Sequence, residues 1–144
     1  MSDAAIRATN KLLPPTAETM TALANIVGAQ HALRDPDRMA PYLTEWRDRY
    51  RGEAAIVLKP GSTDEVAGVL KSSNAALAEI VPQGGNTVFV GAQITDESGS
   101  EIVLSLERLT HISVVVLASN TLTVDEGLTR AGAQESAKSV GRLF

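Results

Sequence analysis

Apolar residues recur at helical spacing in the first part of the chain. Between residues 17 and 27 they form one stripe, which consists of Met20, Leu23, Ala24 and Val27. This spacing predicts an α-helix that Thr16 caps and Gly28 ends. Residues 35–37, Asp-Pro-Asp, predict a turn, and a further short helix is expected over 42–50, ended by Gly52.

A capping box marks the start of the next predicted helix. The Ser62 hydroxyl can accept from the backbone N–H of Glu65, whose carboxylate can reach back toward the helix start. The apolar residues of this helix near one face are Val66, Val69, Leu70 and Leu77. β-prone runs at 54–58 and 80–82 flank the helix. Strand, helix and strand in this order predict a parallel βαβ unit.

Three more β-prone runs follow at 101–105, 112–117 and 122–124, and Asn120 suits the turn between the last two. Helical spacing returns over 128–140 without a strong apolar stripe. The alternation of strands and helices predicts the α/β (α+β) class. The run 112–118 is uncharged and proline-free, which predicts aggregation where it is exposed.

Composition and charge narrow the classes of function. The chain has 144 residues and a formal net charge of −4, which argues against nucleic-acid binding. Arginines at 47, 49 and 51 alternate with acidic residues, a pattern typical of a solvated helix face. No cysteine is present, which fits a cytoplasmic location. No apolar run is long enough to span a bilayer, and residues 1–15 lack the features of a secretory signal.

The segment 81–91 gives the strongest indication of chemistry. Gly84 and Gly85 follow a predicted strand directly, and paired glycines permit a positive φ and a close approach of ligand to backbone. Their N–H groups would form an anion-binding nest, to which Asn86 and Thr87 add side-chain donors. The spacing to Gly91 fits neither the dinucleotide fingerprint nor the Walker A loop. On pattern alone, a structural glycine turn and a phosphate or pyrophosphate site both stay open.

Other candidate residues carry little chemistry. His31 and His111 lack partners at metal-ligand spacing, and no serine lies in a nucleophile-elbow context. Asp125-Glu126-Gly127 lies where a predicted strand passes into a helix, and a helix start is the favoured interpretation. We therefore predict no catalytic residue and no metal ligand in this chain.

The glycine segment and its flanks resemble a known family. Pro82-Gln83-Gly84-Gly85-Asn86-Thr87, followed by Val90-Gly91, resembles the pyrophosphate-binding segment of FAD-linked oxidases with the vanillyl-alcohol-oxidase (PCMH) type of flavin domain. The flanking matches are similar to the D-2-hydroxyglutarate and D-lactate dehydrogenase branch. They lie at 26–28, 42, 46, 50–52, 57–66, 102–106, 122–124, 127 and 141–144. The resemblance covers the chain from about residue 23 onward.

The resemblance implies a cofactor, a fold and a set of contacts. It implies FAD as the cofactor, with hydride passing from the substrate Cα to the flavin N5. The contacts to FAD would come from Pro82, Gln83, Gly84, Gly85, Asn86, Thr87, Val90, Gly91 and Gly127. The fold would be a small parallel βαβ subdomain plus the start of a second, mixed-sheet subdomain. The expected parts are a flexible tail (1–16), a helical lead-in (17–53) and an incomplete FAD-binding domain (54–144).

The chain also departs from the family pattern. Val88 and Ala92 stand where glycine is usual, and Asp125-Glu126 stands where Glu-Ala is usual. A β-branched residue at position 88 would be costly if that position needs a positive φ. Family members continue past residue 144, so we expect an inactive N-terminal piece that acts on a small 2-hydroxy acid only together with a substrate domain. A non-catalytic anion- or nucleotide-binding module and an inactive remnant are the alternatives.

Overall fold

The computed structural model describes residues 14–144, so most of the predicted tail lies outside the described residues. The helices are α1 (Ala17–Val27), α2 (Pro36–Leu43), α3 (Thr63–Ala75) and α4 (Arg130–Ser139), and a 3₁₀ turn covers Ala29–His31. The strands are β1 (Ala32–Leu33), β2 (Ile56–Leu58), β3 (Ile80–Gln83), β4 (Ile102–Ser105), β5 (Ile112–Val116) and β6 (Thr121–Val124).

The first four strands form one sheet in the order β1-β2-β4-β3. β4 is parallel to both of its neighbours, and β1 is antiparallel to β2. The predicted βαβ unit is therefore correct in direction, but β2 and β3 do not pair with each other, because β4 lies between them. Pro82 explains why β3 lies at the edge of the sheet. Proline has no N–H to donate to a neighbouring strand, so it disfavours a central position, where a strand is hydrogen-bonded on both sides.

Helices cover both faces of this sheet. On one face, Leu23 of α1 and Val69 of α3 are fully buried against Ile56 and Ile102 of the central strands. On the other face, Met39 of α2 packs against Val57 and Val103. A mainly parallel sheet needs this cover because its strands are apolar on both sides. All four residues of β4 are buried, as this arrangement requires.

The caps predicted for α1 and α3 are confirmed. The Thr16 hydroxyl accepts from the Thr19 N–H at 3.2 Å, and Gly28 ends α1 with a φ of 84°. The Ser62 hydroxyl accepts from the Glu65 N–H at 3.2 Å, and the Glu65 carboxylate accepts from the Gly61 N–H at 2.7 Å. These three side-chain oxygens thus satisfy backbone N–H groups at the helix starts that have no partner within the helix.

The predicted apolar face of α3 is only half correct. Val69 is fully buried and Val66 is partly buried, whereas Leu70 is 47% exposed. Leu77 lies beyond the end of the helix, is 71% exposed and has a left-handed φ of 53°. Helical periodicity therefore identified the buried stripe but not the point where the helix ends.

The helix predicted over 42–50 is wrong. The helix instead occupies Pro36–Leu43, starting at the predicted turn, because the Asp35 carboxylate accepts from the Arg38 N–H at 3.1 Å and Pro36 stands in the first turn. After it, Thr44 and Arg51 pair as an isolated antiparallel bridge that closes a loop. The N-cap and N1 signals at residues 35 and 36 were the better guide to this helix.

β5 and β6 form a separate antiparallel pair in the described part of the chain, the start of the second subdomain. Asn120 lies in their connecting turn with a φ of 53°, as predicted. The helix predicted over 128–140 is confirmed as α4, which the Thr129 hydroxyl caps. Among residues 14–144, none of the helices has the length and apolar composition that a membrane crossing requires. The three-part division at residues 16 and 53 stays a prediction.

Candidate functional site

A cavity of about 400 Å³ opens at the carboxyl ends of β3 and β4. Its walls come from four parts of the chain: the end of α2, the glycine segment after β3, the segment before β5 and the segment after β6. The wall residues with predicted or polar roles are Tyr42, Gln83, Gly84, Gly85, Asn86, Glu107 and Gly127. Ligands of open α/β sheets bind outside the carboxyl ends of the strands, which is where this cavity lies.

The two glycines of the predicted nest leave open space in the cavity wall. A Cβ added to Gly85 would meet no atom within 4 Å, and one added to Gly84 would meet only the Glu126 carbonyl oxygen, at 3.6 Å. Neither glycine has a positive φ, which corrects the predicted nest geometry; the left-handed positions are Asn86 and Gly91. Internal packing and backbone conformation therefore do not explain the paired glycines, and the open space leaves room for a ligand to approach the backbone.

The backbone of the glycine segment has unused donors. Among residues 14–144, the N–H groups of Gly84, Gly85, Asn86 and Thr87 donate to no protein acceptor. A backbone N–H without a partner is satisfied by water or by a ligand. Consecutive free donors that begin at two residues without a Cβ suit a phosphate or pyrophosphate group.

Gly127 is required by packing within the chain. A Cβ at this position would lie 2.1 Å from the Leu106 carbonyl oxygen and 2.7 Å from that of Leu109. The favoured interpretation as a helix start was close but not correct, because α4 begins after the Thr129 cap. The close approach at Gly127 brings residues 126–129 against the glycine segment and so completes one wall of the cavity.

The Asn86 side chain has a structural role. Its Nδ2 donates to the carbonyl oxygens of Pro41 and Thr44, both at 3.0 Å, and its Oδ1 accepts from Gln93 Nε2 at 2.7 Å. These carbonyls belong to the C-terminal end of α2, where helical acceptors lack partners. Its side-chain amide is therefore not available as the ligand donor that the sequence predicted, whereas its backbone N–H has no protein acceptor.

Gln83 has a similar role. Its side chain is 2% exposed, and its Nε2 donates to the Tyr42 carbonyl oxygen at 2.9 Å and to that of Gln93 at 3.2 Å. Gln83 and Asn86 together tie the glycine segment to the end of α2. Sequence reasoning did not single out Gln93, because a lone glutamine in a loop carries no pattern.

Four of the nine predicted contact residues lie outside the cavity wall. These residues are Pro82, Thr87, Val90 and Gly91. Val90 is 72% exposed, and Gly91, with a φ of 72°, lies against the ring of Tyr50. Val88 is not among the described residues with a positive φ, so the cost expected for a β-branched residue there does not arise.

Arg47 anchors the far end of the glycine segment. Its Nε lies 2.6 Å from Oε1 of the fully buried Glu45, and its Nη2 donates to the Phe89 carbonyl oxygen at 2.5 Å. The interpretation of this arginine run as a solvated helix face is therefore wrong for Arg47. Burial alone would raise the pKa of Glu45, but hydrogen bonds from Arg47 and from backbone N–H groups outweigh it and hold that pKa below its ordinary value.

A charged cluster that the sequence did not indicate includes two residues of the cavity wall, Tyr42 and Glu107. Glu107 accepts from the Tyr42 hydroxyl at 3.0 Å and pairs with Lys59 Nζ at 2.5 Å. Burial opposes ionisation of Glu107, but the bonds from Lys59 and Tyr42 prevail and hold its pKa below the ordinary value. Hydrogen bonding to Glu107 in turn raises the pKa of Lys59. Lys59 and Glu107 follow two parallel strands of one sheet, and this shared position was the sequence feature that could have indicated their proximity.

A parallel sheet with an open glycine cradle and free N–H groups at its carboxyl edge defines a domain that binds a phosphate-bearing cofactor. Residues 54–144 match the family described as "FAD binding domain", and the chain belongs to that family. Its cofactor, FAD, agrees with the prediction. The residues fit this group, because the cradle is open where the pyrophosphate needs to approach the backbone.

Curated relatives agree with the predicted branch. The chain is 35% identical over 109 residues to a D-2-hydroxyglutarate–pyruvate transhydrogenase of Saccharomyces cerevisiae. The aligned region covers 76% of this chain and 22% of the relative. It is 33% identical over 110 residues to a putative mitochondrial D-lactate dehydrogenase of Schizosaccharomyces pombe, covering 76% and 20%. The chain thus spans about a fifth of the length of these relatives.

The fold matches that of solved flavoenzymes. p-Cresol methylhydroxylase superposes with a TM-score of 0.72 at 16% identity, over 89% of this chain and 26% of that one. At this identity the likeness concerns the fold alone. It confirms the predicted PCMH-type fold class.

Proposed function

We propose that this chain supplies the FAD-binding part of a flavin-dependent oxidoreductase that oxidises a D-2-hydroxy acid. The open cradle at Gly84 and Gly85 carries the proposal, because nothing within the described chain explains these glycines. When bound, FAD supplies the acceptor for the hydride that leaves the substrate Cα. The substrate class follows from the names of the two fungal relatives.

In this proposal, the residues of the chain bind the pyrophosphate of FAD and hold the glycine segment in position. The backbone N–H groups of residues 84–87 hold the pyrophosphate, and Asn86, Gln83 and Arg47 keep the segment in place through their contacts with α2 and with Phe89. The Lys59–Glu107 pair is neutral as a unit and leaves anion recognition to the backbone. Pro82, Thr87, Val90, Gly91 and Gly127 stay proposed contact residues, and a cytoplasmic location stays a proposal.

No residue of this chain is proposed to act on the substrate. Among residues 14–144, no cluster of histidine and carboxylate side chains could hold a metal ion. Orientation and deprotonation of the hydroxy acid are therefore assigned to a substrate domain that would act with this chain. The alternative is a nucleotide-binding module without redox function. Such a module would bind ADP as tightly as FAD.

The test is titration of the purified chain with FAD, with riboflavin and ADP as comparators. We expect FAD to bind more tightly than riboflavin by at least about tenfold, since a charge-assisted hydrogen bond contributes about 1.5 kcal/mol or more. ADP bound as tightly as FAD would favour the nucleotide-binding module. A chain folded by circular dichroism that binds none of the three would refute the proposal.

A further inference from the structure

We propose that Gln93 is a positioning residue for FAD: its side-chain amide holds residues 86–88 in the conformation that leaves the Asn86 and Thr87 backbone N–H groups free to bind a ligand. The inference rests on the proposed function. Gln93 is 5% exposed and lies outside the cavity wall, so it acts through the glycine segment and does not touch the ligand.

Both ends of the Gln93 amide are engaged with this segment. Its Nε2 donates to Asn86 Oδ1 at 2.7 Å, and its Oε1 accepts from the Val88 N–H at 3.3 Å. Its own carbonyl oxygen accepts from Gln83 at 3.2 Å. Gln93 therefore connects three residues of the strand end and the loop, two of which form the cavity wall.

The direction of each bond in this network is determined by its neighbours. The Asn86 amide must turn its N–H groups toward the Pro41 and Thr44 carbonyls, because its oxygen would be repelled there. Its oxygen consequently faces Gln93, which must offer a donor. The Val88 N–H requires an acceptor from the same group. Only a side chain with one donor and one acceptor at this length satisfies both demands.

The backbone geometry shows why this position matters. Asn86 has a φ of 53°, a left-handed conformation that asparagine adopts more readily than most residues with a Cβ but that is still less favourable than an extended one. The bonds through Asn86 to α2 and to Gln93 hold it. Without them, residues 86–88 can relax to an extended conformation, and the row of free N–H groups at the cavity is lost.

The test is Gln93→Glu, which preserves size and changes one donor into an acceptor. At about pH 8 the introduced carboxylate repels Asn86 Oδ1, so we expect FAD affinity to fall by at least about tenfold relative to wild type. At about pH 5, burial and the neighbouring oxygen favour the neutral acid, whose O–H and C=O replace the amide. The affinity ratio between wild type and variant should then return toward unity.

A matched control places the same change on the exposed face of α4. Gln134→Glu should bind FAD like wild type at both pH values. A second measurement needs no ligand: the Val88 backbone and Asn86 side-chain amide resonances should shift in Gln93→Glu at about pH 8 and recover at about pH 5.

The outcomes separate the two proposals. Equal FAD affinity and unchanged resonances in Gln93→Glu at both pH values would overturn the role of Gln93, as would a loss of affinity that acid does not restore. If no variant binds FAD while the resonances still respond to pH as expected, the proposed function fails and the positioning of the loop by Gln93 stands.

Discussion

Gly85 and Gly127 line the same cavity, yet their lack of a side chain has different physical causes. The position of a Cβ at Gly85 is empty space, whereas a Cβ at Gly127 would overlap the Leu106 carbonyl. One glycine leaves room for a ligand, and the other permits two segments of backbone to approach each other. The sequence alone shows both only as glycine.

This difference predicts opposite effects of substitution. Gly85→Val should leave the free energy of unfolding within about 0.5 kcal/mol of wild type, while FAD affinity falls by at least about tenfold. Gly127→Ala should lower the free energy of unfolding by about 1–3 kcal/mol, because the backbone must move to admit the methyl group. Urea denaturation and FAD titration of both variants check the contrast. A destabilised Gly85→Val would show that the space at Gly85 is not free.

At the residue scale, sequence reasoning singled out the glycine segment but misassigned some of its groups. Gly84, Gly85 and Asn86 lie on the cavity, and their contact with FAD stays a prediction. The predicted donor of the Asn86 side chain is used within the protein, because the carbonyls at the end of α2 compete for it. Such competition depends on which chain end folds against the loop, and no local pattern records it.

At the scale of elements, local capping chemistry was the most reliable guide. Thr16 and Ser62 start their helices as predicted, since a side-chain oxygen next to the first turn acts without tertiary help. The helix over 42–50 failed for the complementary reason. Its apolar and aromatic residues fit a helix, but Asp35 and Pro36 start the helix earlier and the buried Glu45 carboxylate stabilises a loop after it.

The end of α3 offers a prediction about stability. Leu77 is exposed in a left-handed conformation that costs a residue with a branched or long side chain about 1 kcal/mol, and asparagine tolerates it better. Leu77→Asn should therefore raise the free energy of unfolding by about 0.5–1 kcal/mol. Leu70→Asn is the control, because Leu70 is also exposed but lies within the helix, where asparagine is the poorer helix former. Urea denaturation of the two variants should give changes of opposite sign.

At the scale of the whole molecule, the β5–β6 pair is separate from the four-stranded sheet and is partly exposed. β5 pairs only with β6 in the described part of the chain, and Val114, Val116 and Leu117 are each more than a third exposed. An apolar strand with a free edge is a template for pairing with another chain.

We therefore predict that the 144-residue chain self-associates through β5. Val116→Lys should reduce concentration-dependent light scattering, because a charge on an edge strand blocks pairing between molecules. Ala131→Lys adds the same charge on the surface of α4 and should change scattering less. Equal effects of the two variants would point to net charge, and not to β5, as the cause.

The sequence by itself determined the α/β class, most helices and strands, and the resemblance to FAD-binding domains, because these depend on periodicity, caps and a contiguous motif. Only the tertiary structure decided the place of β4 between β2 and β3, the union of α2, the glycine segment and Gly127 around one cavity, and the roles of Arg47, Gln93 and Glu107. Most of these features are contacts between residues far apart in the chain, and the Gln93 contacts with Asn86 and Val88 join loop residues that follow no regular pattern. Their energies depend on which surfaces meet after folding, which a local pattern does not encode.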